Sequence, residues 1–334
     1  MTQKPKVAVI GTGGTITSIS GNGPLDLYEY TATGKMLEAD QLIDKFPEVR
    51  SVADIIPICF KAVPSTAVAF PEWKQLVIEA DKAVAAHPDL AGIVVLHGTA
   101  TLEETAYALN LTAKVKIPIV VVGAQRPASA LSTDAGLNLV NAVRTAACRD
   151  ARGMGVLVCL NDEINAAREV TKTSTSRLQT FRAPDFGALG HADGDAINFY
   201  RKPVRCGAPD TEFDIRKLDA LPRVDIAYSY AGNDGAAIKA FIAAGAKGIV
   251  AAAFAPGMLA PAEMEAMKAA TAAGIIVVMS SRAGSGRTFP SSKVVSAGIL
   301  NADNLTPQKA RILLALALTK TSDPAAIRTM FATY

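Results

Sequence analysis

Apolar and polar positions along the chain follow two rhythms. Short unbroken apolar runs, such as Ile93-Val94-Val95-Leu96 and Val120-Val121-Val122, stop at turn-forming residues, as parallel strands buried on both faces do. Between them lie longer segments with apolar residues at helical spacing. This pattern predicts strands over 7–10, 92–96, 117–122 and 155–159 and helices over 72–86, 103–114 and 134–147. Thr101-Leu102-Glu103-Glu104 reads as a capping box opening the second of these helices. From 182 to 222 the rhythm dissolves into Gly, Pro, Asp and basic residues, including Arg201-Lys202-Pro203. A second, shorter alternation follows, with strands over 224–228, 248–253 and 275–279 and helices over 234–244, 261–273 and 307–318. The fold class is therefore α/β: a large N-terminal, mostly parallel sheet domain with flanking helices, over 1–205, a linker over 206–222, and a smaller C-terminal α/β domain over 223–334.

The ends of two strands draw the eye, because ligands of open α/β sheets bind outside the carboxyl ends of strands. The first strand runs straight into Gly11-Thr12-Gly13-Gly14-Thr15-Ile16. A dinucleotide fingerprint needs glycine where Ile16 stands, so that reading fails on spacing. Residues 18–35, with Gly21, Gly23, Pro24, Tyr28 and Tyr30, read as a mobile lid beside this turn. The strand over 92–96 ends at His97-Gly98-Thr99-Ala100, where Thr99 is expected to stand exposed in the turn. His97 reads as a packed strand-end residue, and the adjacent Glu103 and Glu104 point about 100° apart on a helix, which is poor geometry for paired acid/base work.

Composition narrows the classes. The 334 residues are 50% hydrophobic but only 6% aromatic, so the core must be built of small aliphatic side chains. A formal net charge of +3 with no basic block argues against nucleic-acid binding. No apolar run reaches membrane-spanning length, and the four apolar residues of Val7-Ala8-Val9-Ile10 are too few for a secretion signal, so the expected location is the cytoplasm, with no membrane partner. Cys59, Cys148, Cys159 and Cys206 lack metal-like spacing and read as ordinary buried thiols, and the three histidines form no ligand motif; no metal or cofactor is expected.

Chemistry is carried by Thr15, Thr99 and Lys172. A threonine hydroxyl is a poor nucleophile until a base takes its proton, and a lysine becomes that base when burial or a cationic neighbour lowers its pKa. Singly, each has a blander reading as a helix cap or a solvated cation. Together with their surroundings they are more specific: Thr12-Gly13-Gly14-Thr15-Ile16, His97-Gly98-Thr99 with Glu103-Glu104-Thr105-Ala106, Gly123-Ala124-Gln125-Arg126-Pro127, Arg168-Glu169-Val170-Thr171-Lys172, Ser280-Ser281-Arg282 and Leu305-Thr306-Pro307-Gln308-Lys309. In this order they resemble the bacterial L-asparaginase/glutaminase family over nearly the whole chain.

The resemblance implies a cofactor-free amidohydrolase that converts a side-chain amide to a carboxylic acid and ammonia, assembled as a homotetramer of two dimers or at least a homodimer. It implies Thr15 as nucleophile, Tyr30 or else Tyr28 as the lid tyrosine that polarises it, Thr99 with Lys172 as a second pair, Ser65 as holder of the substrate α-carboxylate, and the backbone around Ala124 as the receiver of the scissile amide. Backbone N–H groups of the two threonine turns would stabilise the oxyanion.

Several positions depart from the family. Its His-Gly-Thr-Asp is His97-Gly98-Thr99-Ala100 here, so the aspartate that joins the Thr-Lys pair and binds the α-ammonium is missing. Its Gly-Asn-Gly in the second domain is Ala255-Pro256-Gly257, its acid after Ser-Ser-Arg is absent from Phe289-Pro290-Ser291-Ser292-Lys293, and Thr66 stands beside Ser65 where Gln or Glu is frequent. An α-ammonium removed from water needs an opposite charge or several acceptors. The substitutions therefore point to a substrate without a free α-amine: a succinamate-like or 2-oxo half-amide, or an asparagine with a blocked amine. A weak or inactive paralogue that binds a small carboxylate remains the second reading.

Overall fold

The computed structural model describes residues 3–334, in two compact units, Met1–Arg216 and Lys217–Tyr334. In the first unit the strands are β1 (Lys6–Gly11), β2 (Ser18–Ile19), β3 (Lys35–Met36), β4 (Asp54–Cys59), β5 (Leu90–Leu96), β6 (Ile119–Val122), β7 (Val156–Leu160), β8 (Glu163–Ala166), β9 (Thr171–Lys172), β10 (Phe181–Arg182), β11 (Gly190–Ala192) and β12 (Ile197–Phe199). Its helices are α1 (Tyr30–Thr33), α2 (Ala39–Lys45), α3 (Val49–Val52), α4 (Phe70–Ala86), α5 (Leu102–Thr112) and α6 (Ala135–Ala147).

Eight strands form one sheet in the order β12-β11-β8-β7-β6-β5-β1-β4, and β4 through β7 with β1 are parallel. Alternation along each strand sends Val7, Val9, Val94, Leu96, Val120 and Val122 into one core with Leu42, Ile43, Leu139 and Val143 of α2 and α6. The intervening positions face the opposite layer, where α4 and α5 lie against β5, β6 and β7.

Three features escape a reading of periodicity alone. Strand β4 carries Pro57 and buries only Ile55, its other positions being half-buried or exposed, which suits an edge strand that leaves one N–H side unpaired. The sheet also extends beyond its parallel part: β8, β11 and β12 add antiparallel. Asn161 and Asp162, at φ 50° and 64°, make the two-residue turn between β7 and β8, and β11 and β12 occupy part of the stretch in which the apolar rhythm dissolves. The expected capping box at Thr101 does not form: its hydroxyl donates to the Ser65 carbonyl at 2.6 Å, a contact across the chain that outcompetes the local cap.

The second unit is a four-stranded parallel sheet, β13 (Val224–Tyr228), β14 (Gly248–Ala253), β15 (Ile276–Ser281) and β16 (Leu300–Asn301), in that order. Helices α7 (Ala236–Ala243), α8 (Pro261–Ala272), α9 (Ser292–Ser296), α10 (Pro307–Ala317) and α11 (Pro324–Thr333) cover it, with Ile249, Ala251, Val277, Met279, Met264 and Met267 at its centre. Small aliphatic side chains, several of them alanines, fill this second core, and Phe241 packs against it.

In the first unit, chain direction reverses between β1 and β5: β1 leads to β4 on one side and β5 to β6 on the other. This switch point opens a crevice at their carboxyl ends. There the two turns touch backbone to backbone. A Cβ on Gly14, which has φ 91°, would lie 2.2 Å from Gly98 Cα and 2.3 Å from Gly98 N. Gly14→Ala is therefore expected to destabilise the protein by about 3 kcal/mol or more, from overlap added to an unfavourable dihedral. Gly153→Ala, at φ 74° with open space around it, should cost only about 1 kcal/mol. Urea midpoints of the two variants check this; equal losses would show that the close approach is unimportant.

Candidate active site

The crevice is a cavity of about 510 Å³ lined by Gly14, Thr15, Tyr30, Lys35, Met36, Ser65, Thr66, Gly98, Thr99, Ala100 and Lys172, among others. Thr15 is carried by the turn after β1. Its hydroxyl is 2.7 Å from the Tyr30 phenol, while Tyr28 is 72% exposed, so the choice between the two tyrosines falls to Tyr30. The segment between them is tied down rather than loose. Strands β2 and β3 pair as a short ladder, and the Asp26 carboxylate accepts from the Ser20 hydroxyl and the Tyr28 and Glu29 N–H groups, with the Ser20 bond foremost in holding its pKa below the usual range. Two further bonds, Ser20 N–H to Ser129 Oγ and Leu131 N–H to the Pro24 carbonyl, fasten it to the turn after β6.

Thr99 is buried at 6% exposure, not exposed as expected, because the turn packs against β6 and the segment at Ser65. It still faces the cavity. Lys172 Nζ donates to Thr99 Oγ1 at 2.8 Å and to Gln125 Oε1 at 3.2 Å, and the Thr99 hydroxyl is 3.2 Å from the same Gln125 oxygen. Burial lowers the Lys172 pKa, and the Glu103 carboxylate partly opposes this. Once neutral, that nitrogen can take the Thr99 proton through the same contact.

Glu103 and Gln125 were not among the sequence-derived candidates. Glu103, 7% exposed at the start of α5, accepts from Thr171 Oγ1 at 3.1 Å and from the Lys172 backbone N–H at 3.2 Å. It thus fixes β9, the two-residue strand that carries the lysine. The available signal was an acid in the first turn of a helix that begins just after Thr99, but nothing local says that a strand about seventy residues later will land on it. Gln125 is held by Asp134, whose carboxylate accepts from the Gln125 and Arg126 N–H groups.

Ser65, Thr66 and Ala100 line the cavity. Ala124 does not: its side chain is wholly buried in the core, and it is the neighbouring Gln125 whose side chain reaches Thr99 and Lys172. Among the described residues, the backbone N–H groups of Thr15 and Thr99 donate to no protein acceptor, whereas that of Gly14 is engaged by Met36 Sδ at 3.3 Å. His97 is packed, as expected: burial holds its pKa near 4, and the neutral ring spans Thr105 Oγ1 and the Gly98 carbonyl. The cysteines are less uniform than expected, with Cys159 buried, Cys148 and Cys206 half-buried and Cys59 exposed, all unpaired. Among the described residues no group of three or more His, Cys, Asp or Glu is placed to hold a metal ion, and no helix is long and apolar enough to cross a membrane.

Within the second unit, two of the departing segments are neighbours. The Phe289 N–H donates to the Pro256 carbonyl at 2.6 Å, in the turn closed by the Phe254–Met258 bridge.

Glu103→Gln keeps an oxygen for Thr171 and Lys172 while removing the charge. The carboxylate stabilises the ammonium, so its loss should lower the Lys172 pKa further and move the rising limb of a pH–kcat/KM profile to lower pH. An unmoved or upward-moved limb would remove Lys172 from the role of base.

Residues 6–205 match the family model described as Asparaginase, N-terminal, and residues 223–331 match the Glutaminase/Asparaginase C-terminal domain. The chain is 40% identical over 330 residues to L-asparaginase 2 of Bacillus subtilis, covering 99% of this chain and 87% of that protein. It is 38% identical over 330 residues to a protein of Haemophilus influenzae named probable L-asparaginase periplasmic, covering 98% and 92%. A crystal structure of a probable cytoplasmic L-asparaginase from Campylobacter jejuni superposes with a TM-score of 0.93 at 39% identity, over 99% of this chain and all of that one. Two family models in tandem, an α/β architecture shared to that degree and full-length relatives make this chain a member of the asparaginase/glutaminase family of amidohydrolases.

Proposed function

We propose that the protein hydrolyses the side-chain amide of an asparagine-like compound whose α-amine is absent or blocked, with Thr15 as nucleophile. The carrying observation is the charge of the cavity wall: among the described residues its cations are Lys35 and Lys172, and no Asp or Glu lines it. An α-ammonium would enter beside two lysines with no carboxylate to replace its water, a cost of several kcal/mol. A compound with only its carboxylate charged has the opposite balance, and Ser65, which lines the same cavity, holds that group in this reading.

In this reading the Tyr30 phenol acts as a relay: its oxygen takes the Thr15 proton as the hydroxyl attacks the amide carbon, while its own proton passes to the amide nitrogen. The C–N bond breaks, ammonia leaves with the transferred proton, and an ester to Thr15 remains. Water, deprotonated through Thr99 and neutral Lys172, then releases the acid. The N–H groups of Thr15 and Thr99, free of protein acceptors among the described residues, are available to the oxyanion.

Assembly as a homotetramer, or at least a homodimer, belongs to the same reading. Exposed Tyr228, Tyr230, Met258 and Phe289 on the second unit supply apolar surface for it. A cytoplasmic setting is supported by the four unpaired cysteines and by the name of the Campylobacter protein.

Ammonia release from L-asparagine, L-glutamine, succinamate, 2-oxosuccinamate and N-acetyl-L-asparagine tests the substrate. The amine-free or amine-blocked compounds should have the highest kcat/KM, and Thr15→Ala should lower it by at least about 10³-fold. Highest activity on L-asparagine would overturn the proposal, and carboxylate binding that survives Thr15→Ala with no turnover in either protein would establish a binder instead. Light scattering of the purified protein should give a mass of two or four chains; a monomer at micromolar concentration would refute the assembly.

A further inference from the structure

The wall of the cavity carries one feature that the amide chemistry does not use. Lys35 stands on β3, is exposed, and its side chain makes no hydrogen bond or ion pair among the described residues. Its position is nonetheless fixed. Lys35 pairs with Ile19 in the β2–β3 ladder, Gly34 before it donates to the Tyr30 carbonyl, and Met36 after it receives the Gly14 N–H. The lysine is therefore held in register with both Thr15 and its tyrosine. Lys172, the other cation, is committed to Thr99 and Gln125. That leaves Lys35 as the lining cation available to a ligand.

Size adds a second constraint. A cavity of about 510 Å³ lies within the range of roughly 300–1,000 Å³ that encloses drug-sized ligands, far more than a four-carbon half-amide fills. Where an ammonium-binding acid is missing, Ala100 and Thr66 leave room instead. Building on the amine-free reading above, we infer that the substrate is an asparagine acylated on its α-amine, with the acyl chain ending in an anionic group that Lys35 receives. Acylation removes the charge that the wall cannot hold, and the chain fills the space that the missing acid leaves. The anion meets a cation whose side chain has no partner among the described residues. Lys35 acts here as a specificity residue, outside the bond-breaking step.

The experiment compares N-succinyl-L-asparagine with its neutral isostere N-(4-oxopentanoyl)-L-asparagine, beside N-acetyl-L-asparagine and L-asparagine, by ammonia release. An exposed ion pair supports about a fivefold preference in kcat/KM for the succinyl compound, shrinking as salt is raised. The ratio should fall toward one in Lys35→Gln and invert in Lys35→Glu. Equal use of the charged and neutral isosteres by the unmodified protein would overturn this inference while leaving the amine-blocked substrate in place. A preference for free L-asparagine would overturn both. Were none of the four hydrolysed, calorimetry of the succinyl compound with Thr15→Ala decides: binding that weakens in the Lys35→Gln, Thr15→Ala double variant upholds the Lys35 contact, and no binding refutes it.

Discussion

Everything at the site depends on how closely two backbones approach. The turn after β1 and the turn after β5 meet at Gly14 and Gly98, with no space for a side chain between them. Their strands are parallel neighbours whose connections leave in opposite directions, so this is where the sheet opens and where two strand ends can share one crevice. The contact sets Thr15 and Thr99, each one residue past its glycine, on the wall of a single cavity. Each hydroxyl then receives its own partner from elsewhere in the chain, Tyr30 from the pinned segment after β2 and Lys172 from β9. Neither partner would matter if the glycines held the turns apart.

The Lys172 amine is tuned with no carboxylate among the described residues that line the cavity. Burial favours the neutral amine, while Glu103 pulls the other way, and burial is the larger effect. Glu103 reaches the lysine from behind, through the Lys172 N–H and the Thr171 hydroxyl, so its position does not depend on whether the lysine is charged. Gln125 adds a neutral acceptor that both Thr99 and Lys172 can use. The pair keeps its orientation through amide and backbone bonds, which leave the ligand side of the wall free of negative charge.

Much of the architecture was legible because burial leaves a period. The strands 92–96 and 248–253, inaccessible on both faces, stand out as unbroken apolar runs, and the helices between them show their apolar stripes. Edge elements lack that signature. Strand β4 shows its polar side and a proline, and β11 and β12 are three residues each, too short for any period. The turn glycines and threonines were legible because they are local, Lys172 because it lies in a polar run as a candidate base for them, and the resemblance supplied Ser65. Glu103, Gln125 and Lys35 were not, since their significance lies in partners 69 residues away, 47 residues away, and absent from the protein altogether. The Thr101 hydroxyl makes the same point from the other side: a local motif with a sound rule behind it gave way to a carbonyl 36 residues distant.

In the family pattern one aspartate serves both the catalytic lysine and the substrate amine, so the two needs are coupled by a single charge. Here they are separated. The lysine's acid sits inside the protein at the start of α5, and the position facing the ligand is Ala100. The lysine therefore keeps a carboxylate neighbour in Glu103 while Ala100 presents none to the cavity, so the change of substrate proposed above is compatible with an intact Thr99–Lys172 pair. Within the second unit, the departing segments are adjacent through the Phe289 to Pro256 bond. What remains facing the ligand is hydroxyl, backbone and cation, a surface suited to carboxylates and to an amide held between two threonines.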